Sequence, residues 1–231
     1  MEIKSFILGE LQTNCYLLID QSTDQCLIID PADEANFLSE QILRQNLKPT
    51  AIIATHGHFD HILAAYELQM AFSPPSSLEN KLGTSARFPP AESAGSNIPF
   101  YIHPKDFFLI KNLQNNSSFW TKRKIIERPP INIFSLASQG VALRSWQIQI
   151  IETPGHTPGS VCFYFPKDKV LFTGDTLFAD GVGRTDLSYS SKKDLFSSLK
   201  KFSKLPPETK IYPGHGNYGI KLKVALNPRV V

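Results

Sequence analysis

Thr55-His56-Gly57-His58-Phe59-Asp60-His61 places four potential metal ligands within six residues, directly after the apolar run Ala51-Ile52-Ile53-Ala54. A short apolar run bounded by a polar, Gly-containing turn reads as a buried strand. That strand must end by delivering His56 to a rim. His56 and His58 alternate about Gly57 in an extended turn, so both can point the same way, while Asp60 and His61 open a helical stretch and can face a neighbouring ion. Neutral imidazole and carboxylate are the ligands that hold zinc or iron in open, catalytic sites. The motif is read as a metal site, and as that of an enzyme.

Only six histidines occur in 231 residues, and three lie in this motif. His156 sits in Thr153-Pro154-Gly155-His156-Thr157-Pro158-Gly159 after the strand-like Gln147–Ile151, and His215 in Tyr212-Pro213-Gly214-His215-Gly216 after another short apolar run. Asp175 follows Val170-Leu171-Phe172-Thr173-Gly174 in the same pattern. Repeated delivery of His or Asp from strand ends into Gly-rich turns suits a site built on loops above a rigid sheet.

The ordered motifs T-H-x-H-x-D-H, G-H-T-P-G, T-G-D and P-G-H-G resemble the metallo-β-lactamase superfamily. Gly183-Arg184-Thr185-Asp186 and Thr13-Asn14-Cys15-Tyr16-Leu17 resemble its glyoxalase II and persulfide dioxygenase branch. The resemblance runs from about Phe6 to Pro228. It implies an α/β fold, the four-layer αββα sandwich. It assigns His56, His58 and His156 to a first metal ion, Asp60, His61 and His215 to a second, and Asp175 to both. The cofactors implied are two divalent metal ions: zinc is expected, and iron or manganese would also be accepted by these ligands. Asp60 would orient the metal-bound hydroxide, whose parent water titrates near about pH 7 when coordinated. Arg184 and Asp186 would pair with backbone or each other and hold the loop after Asp175.

The function implied is hydrolysis of the hydroxyacyl thioester of a low-molecular-weight thiol, a small-molecule substrate. A thiol of pKa about 8.5 leaves as thiolate without a dedicated general acid, which suits a chain with no obvious acid outside the ligand set. The longer glyoxalase II enzymes contact glutathione through a basic C-terminal extension to which no residue here corresponds, so the thiol is left open. The alternative is a persulfide dioxygenase with one iron on His56, His156 and Asp175. A lactonase, a phosphodiesterase and a non-catalytic metal-binding module are further readings.

Composition bounds the rest. No apolar stretch reaches the ~18 residues of a membrane span, and Met1-Glu2-Ile3-Lys4 enters a strand-like segment without a signal-peptide pattern; a cytoplasmic protein is expected. Cys15, Cys26 and Cys162 sit in apolar sequence and read as buried small hydrophobes. Lys192-Lys193 and Lys200-Lys201 belong to a helix whose other face carries Leu195, Leu199 and Phe202, a solvated face and not a nucleic-acid surface.

One domain over residues 1–231 is expected. Strands are predicted near Ile3–Leu8, Cys15–Asp20, Cys26–Asp30, Ala51–Ala54, Val141–Leu143, Gln147–Glu152, Val161–Phe165, Val170–Thr173 and Lys210–Tyr212. Helices are predicted from an Asp33 cap to about Asn46, from Asp60 to about Phe72, and near Lys192–Lys204. Fourteen of the 25 residues from Ser73 to Asn97 are Ser, Pro, Gly or Asn. This composition predicts a flexible insertion, either a flap over the substrate mouth or a surface loop. His103 matches no ligand position and reads as a surface or capping residue.

Overall fold

Among the described residues, eleven strands form two sheets that pack face to face. The computed structural model describes residues 1–72, 98–122, 124–136 and 146–227; the expected insertion at 73–97 and strand at Val141–Leu143 lie outside them. The first sheet has the order β1 (Glu2–Leu8), β2 (Thr13–Asp20), β3 (Gln25–Ile29), β4 (Lys48–Ile53), β5 (Phe100–Ile102) and β6 (Ile133–Ser135). Its first three strands are antiparallel, and β3 to β6 run parallel. The second has the order β11 (Ile220–Lys221), β10 (Lys210–Pro213), β9 (Val170–Gly174), β8 (Val161–Phe165) and β7 (Gln149–Glu152).

Strand periodicity sorts the apolar residues into layers. Successive side chains of a strand point to opposite faces. Tyr16 and Leu18 therefore join Leu27, Ile29, Phe163 and Phe172 between the sheets. Cys15, Leu17 and Ile19 pack on the other face against Leu38 and Ile42 of α1 (Ala35–Arg44) and Leu68 of α3 (Ala65–Ala71). Beyond the second sheet, Cys162, Tyr164 and Leu171 meet Leu195 and Leu199 of α6 (Lys192–Leu199) and Leu222 of α7 (Leu222–Ala225). Three apolar seams between helix, sheet, sheet and helix make the αββα sandwich. The three cysteines are free and buried inside these seams, where burial pushes the Cys26 and Cys162 thiols up to about 12.

Some boundaries differ from the sequence expectation. Asp33 does not cap α1: Glu34 occupies the cap position in a left-handed conformation, and Asp33 instead accepts the Glu34 backbone N–H at 2.7 Å. The helix expected from Asp60 to Phe72 is two, α2 (Phe59–Ile62) and α3, because the Ala64 N–H turns away to donate to the Pro31 carbonyl. After Leu199 the expected long helix tightens to a 3-10 segment, Lys200–Lys204, that buries Phe202. Residues 98–136, where no strand is expected from the sequence, supply β5, β6, α4 (Phe107–Lys111) and α5 (Leu113–Thr121). His103 caps the turn before α4, accepting from Lys105 N, and is buried rather than on the surface.

Strand ends from both sheets meet along one edge. The joint is drawn by β2: Asn14 N–H donates to the Gly214 carbonyl at 2.7 Å, and Thr13 bridges to His215. The Asn14 side chain donates to the carbonyls of Pro213 and Gly216, and the Tyr16 hydroxyl to Pro213 at 2.6 Å. The Thr13-Asn14-Cys15-Tyr16 segment thus fastens the His215 loop of one sheet to the first strands of the other.

Candidate metal centre

The converging strand ends bring all the sequence-predicted ligand positions together. His56 and His58 follow β4, Asp60 and His61 lie on α2, His156 follows β7, Asp175 follows β9, and His215 follows β10. Three groups have ligand atoms within 4.8 Å of one another: His56, His58 and His156; His56, His61 and Asp175; and Asp60, His61 and His215. Asp175 reaches across, with Oδ1 3.5 Å from His61 Nε2 and Oδ2 3.5 Å from His156 Nε2 and 3.7 Å from His215 Nε2. Only close backbone approach permits this. A Cβ at Gly214 would overlap Asp175 Oδ1 and the His61 ring, and one at Gly183 would overlap the Asp175 carbonyl.

The outer nitrogens fix the inner ones. Thr55 Oγ1 gives its proton to Asp30 at 2.7 Å, so it accepts from His56 Nδ1 at 3.1 Å. His61 Nδ1 donates to the Asp30 carboxylate at 2.9 Å, and His156 Nδ1 to the Arg184 carbonyl at 3.0 Å. Each neutral ring therefore turns an Nε2 lone pair inward, the arrangement by which carboxylates and carbonyls orient metal-ligating histidines. His58 Nδ1 stands 3.0 Å from His56 Nε2 and 2.9 Å from His156 Nε2. His61 Nε2 and Asp175 Oδ1 are buried with no hydrogen-bond partner. Buried polar atoms are rarely left so. Converging lone pairs and two orphaned atoms fit divalent cations.

Electrostatics divides the groups. Burial and then the neighbouring histidines hold the His56 imidazole well below its ordinary value, and burial with His156 lowers His58 to about 3. Burial pulls His61 down as well, but Asp60, Asp175 and Asp30 together outweigh it and raise this imidazole to about 10. His215 is likewise raised against its burial, chiefly by Asp60. Burial pushes Asp60 up, yet His61 and His215 prevail and hold its carboxyl well below the usual carboxylate range.

Three supporting residues escaped the sequence reading. Asp30, buried at the end of β3, accepts from Thr55 N, Thr55 Oγ1 and His61 Nδ1. Its left-handed backbone, φ 50°, turns the chain off the strand there, a conformation that Asp tolerates better than most residues. Asp106 is buried before α4 and accepts from Gly57 N at 2.9 Å, Gly159 N at 2.7 Å and the Thr157 hydroxyl at 2.7 Å. It thereby binds the His56 and His156 turns to each other. The Tyr189 hydroxyl lies 2.8 Å from His58 Nε2. Asp30 carries a readable signal, an acid ending an apolar run, as Asp175 does; Asp106 and Tyr189 carry none.

A cleft of about 550 Å³ opens over the centre. Its floor holds His58, Asp60, His156, Asp175 and His215, and Leu11, Phe119, Trp120 and Leu187 supply apolar wall. Arg184 lines it too, joined to Asp186 by two bonds of 2.7 and 2.8 Å and stacked 5.3 Å over the Trp120 ring. The pair joins side chain to side chain, while the Arg184 backbone serves His156.

Comparison with known proteins agrees with this architecture. Residues 8–215 match the metallo-β-lactamase superfamily. The chain is 32% identical to a hydroxyacylglutathione hydrolase GloC of Haemophilus influenzae, over 94% of this chain and 92% of that protein. It is 30% identical to a probable metallo-hydrolase, YqgX, of Bacillus subtilis, over 94% and 90%. Among solved structures, TTHA1623 in a di-iron-bound form superposes with a TM-score of 0.76 at 34% identity, covering 96% of each chain.

Proposed function

The chain belongs to the metallo-β-lactamase superfamily of metallo-hydrolases, and we propose that it hydrolyses hydroxyacyl thioesters of a low-molecular-weight thiol at a binuclear metal centre. The observation that carries the reading is the pair of adjacent ligand groups linked by Asp175, with His61 Nε2 and Asp175 Oδ1 orphaned between them. The likeness to a hydroxyacylglutathione hydrolase over nearly the whole chain directs the substrate class.

His56, His58 and His156 would hold one ion, Asp60, His61 and His215 the other, and Asp175 would touch both. Two such ions supply Lewis acidity and a water that ionises near neutral pH. The protein's own groups do the rest. Asp60 Oδ2 is fixed by the Thr13 hydroxyl at 3.0 Å and lies 3.3 Å from His215 Nε2, so the carboxylate is steered to orient the attacking water. The apolar wall of Phe119 and Trp120 packs the organic part of the substrate and excludes bulk water. As the attacking oxygen bonds to the acyl carbon the C–S bond breaks; the thiol, of pKa about 8.5, departs as thiolate and takes up the proton that the new carboxylic acid releases.

The test is one preparation purified without added metal and measured three ways: metal content, thioester hydrolysis and persulfide-dependent oxygen uptake. About two metals per chain with thioester cleavage is the expected result. One iron per chain with oxygen uptake would replace the hydrolase with a dioxygenase.

A further inference from the structure

We propose that Tyr189 is a positioning residue that fixes the proton of His58 on Nε2 and thereby presents its own O–H to the acyl oxygen of a substrate in the cleft. The inference rests on the binuclear reading of the centre.

The histidines of the three-imidazole group are not served alike. His56 and His156 turn their outer N–H to oxygens that only accept: Thr55 Oγ1, whose proton is committed to Asp30, and the Arg184 carbonyl. His58 alone faces a group that can donate or accept, the phenol of Tyr189 at 2.8 Å. Were the phenol the donor, neutral His58 would carry its proton on Nδ1. That N–H would point at both His56 Nε2, 3.0 Å away, and His156 Nε2, 2.9 Å away, and no lone pair would be left for a cation. With the proton on Nε2, His58 donates to the phenolic oxygen and all three inner nitrogens present lone pairs. The phenol's own proton must then turn away from His58. Tyr189 lines the same cleft as His58, Asp60 and Asp175, so the direction left to it includes the substrate space.

The ring is held for this role. It packs edge-on against Phe108 with centroids 5.3 Å apart. The next residues are anchored on the His156 turn: Ser190 Oγ donates to the His156 carbonyl at 2.7 Å, and Ser191 N–H to the Gly155 carbonyl at 2.8 Å. One short segment thus grips His156 through backbone and His58 through a side chain.

Tyr189→Phe removes the hydroxyl and keeps the ring on Phe108. Zinc retention is read first, by competition with a chromophoric chelator in the absence of substrate. We expect zinc affinity to fall about 10–100-fold, the usual effect of deleting an outer partner of a ligating histidine, with unfolding temperature of the zinc-free protein unchanged. The visible spectrum of the cobalt-substituted protein should shift at the same time. In excess zinc, kcat for the thioester should fall at least tenfold with little change in KM. Wild-type zinc retention in the folded variant would overturn the positioning role. Unchanged kcat in excess zinc would overturn the hydrogen bond to substrate. Absence of thioester turnover by the unaltered enzyme would instead count against the proposed activity, since zinc retention is measured without substrate.

Discussion

The group of His56, His58 and His156 and the group of Asp60, His61 and His215 sit side by side but are built on opposite electrostatics. In the first, no carboxylate is a member, the outer partners are a hydroxyl, a phenol and a carbonyl, and burial drives His56 and His58 toward the neutral form. In the second, Asp30, Asp60 and Asp175 surround His61, and the imidazoles of His61 and His215 are drawn toward the charged form. A cation entering the first group displaces no proton from His56 or His58 at neutral pH; one entering the second must displace the proton that the acids favour on His61. The difference teaches that adjacent sites sharing Asp175 need not fill alike. The three-imidazole group is pre-set for a cation, and the mixed group trades a proton for one.

The strongest way to break this comparison is to remove what the groups share. Asp175→Ala should lower the metal content of both and cut thioester turnover by about 10³-fold or more, the scale of several kcal/mol of metal-derived stabilisation. Elemental analysis with steady-state kinetics checks it. Loss of one metal alone would mean that Asp175 belongs to one group. Asp60→Ala should act on one side only. The mixed group should lose its ion, the three-imidazole group should keep its own, and turnover should fall by about 10²–10³-fold. Near-normal turnover with two metals bound would end the role assigned to Asp60.

Asp30→Asn probes the same side from behind. Asn can present only one acceptor oxygen, so the Thr55 and His61 bonds cannot all persist. We expect an affinity loss of about 10–100-fold for the ion of the mixed group, which Asp30 serves directly through His61, a smaller loss at the three-imidazole group, which it reaches only through Thr55 and His56, and a clear fall in unfolding temperature. An equal loss in both groups would erase the division between them.

Asp30 and Asp175 together show what is legible in such a chain. Both acids end apolar runs, but only Asp175 falls within a motif that already contained a glycine turn. The converging positions were readable because histidine is scarce here and His56, His156 and His215 each follow a strand into a turn that contains Gly or Pro. The layers were readable from period-two alternation, as in Tyr16 and Leu18 against Leu17 and Ile19. Asp106 and Tyr189 could not be read. Asp106 meets Gly57 and Gly159 across 49 and 53 residues of chain, and Tyr189 meets His58 across 131, distances at which no local pattern operates. The three-residue strands β5 and β6 failed for a related reason. They are too short to show alternation and are made strands by pairing with β4 and with each other.

Acid and base sharpen the comparison in the metal-stripped protein. His61 is raised from 6.5 to about 10, so its attraction to the acids contributes stability fully below pH 6.5 and is lost as pH rises through about 10. His58 is lowered to about 3; its neutral burial contributes above pH 6.5 and is lost as pH falls toward 3. Unfolding temperature should therefore peak near about pH 6–7. His61→Gln should flatten the alkaline limb and leave the acid limb. Survival of the alkaline limb in that variant would show that the acids of the mixed group do not charge His61.

The smallest effect should come from the Arg184–Asp186 pair, whose side chains are 49% and 68% exposed. Exposed ion pairs contribute about 0–1 kcal/mol. More importantly, His156 is held by the Arg184 carbonyl and the Ser190 hydroxyl, whereas the guanidinium bonds to Asp186 and stacks on Trp120. Asp186→Asn weakens the fork but leaves the backbone path, because the 189–191 segment still binds the His156 turn. Both metals should remain, and kcat/KM should change by no more than about fivefold. A hundredfold fall accompanied by metal loss would mean that the pair sets the Arg184 carbonyl. The three-imidazole group would then depend on the Asp186 carboxylate as well as on the Asp175 that it shares with its neighbour.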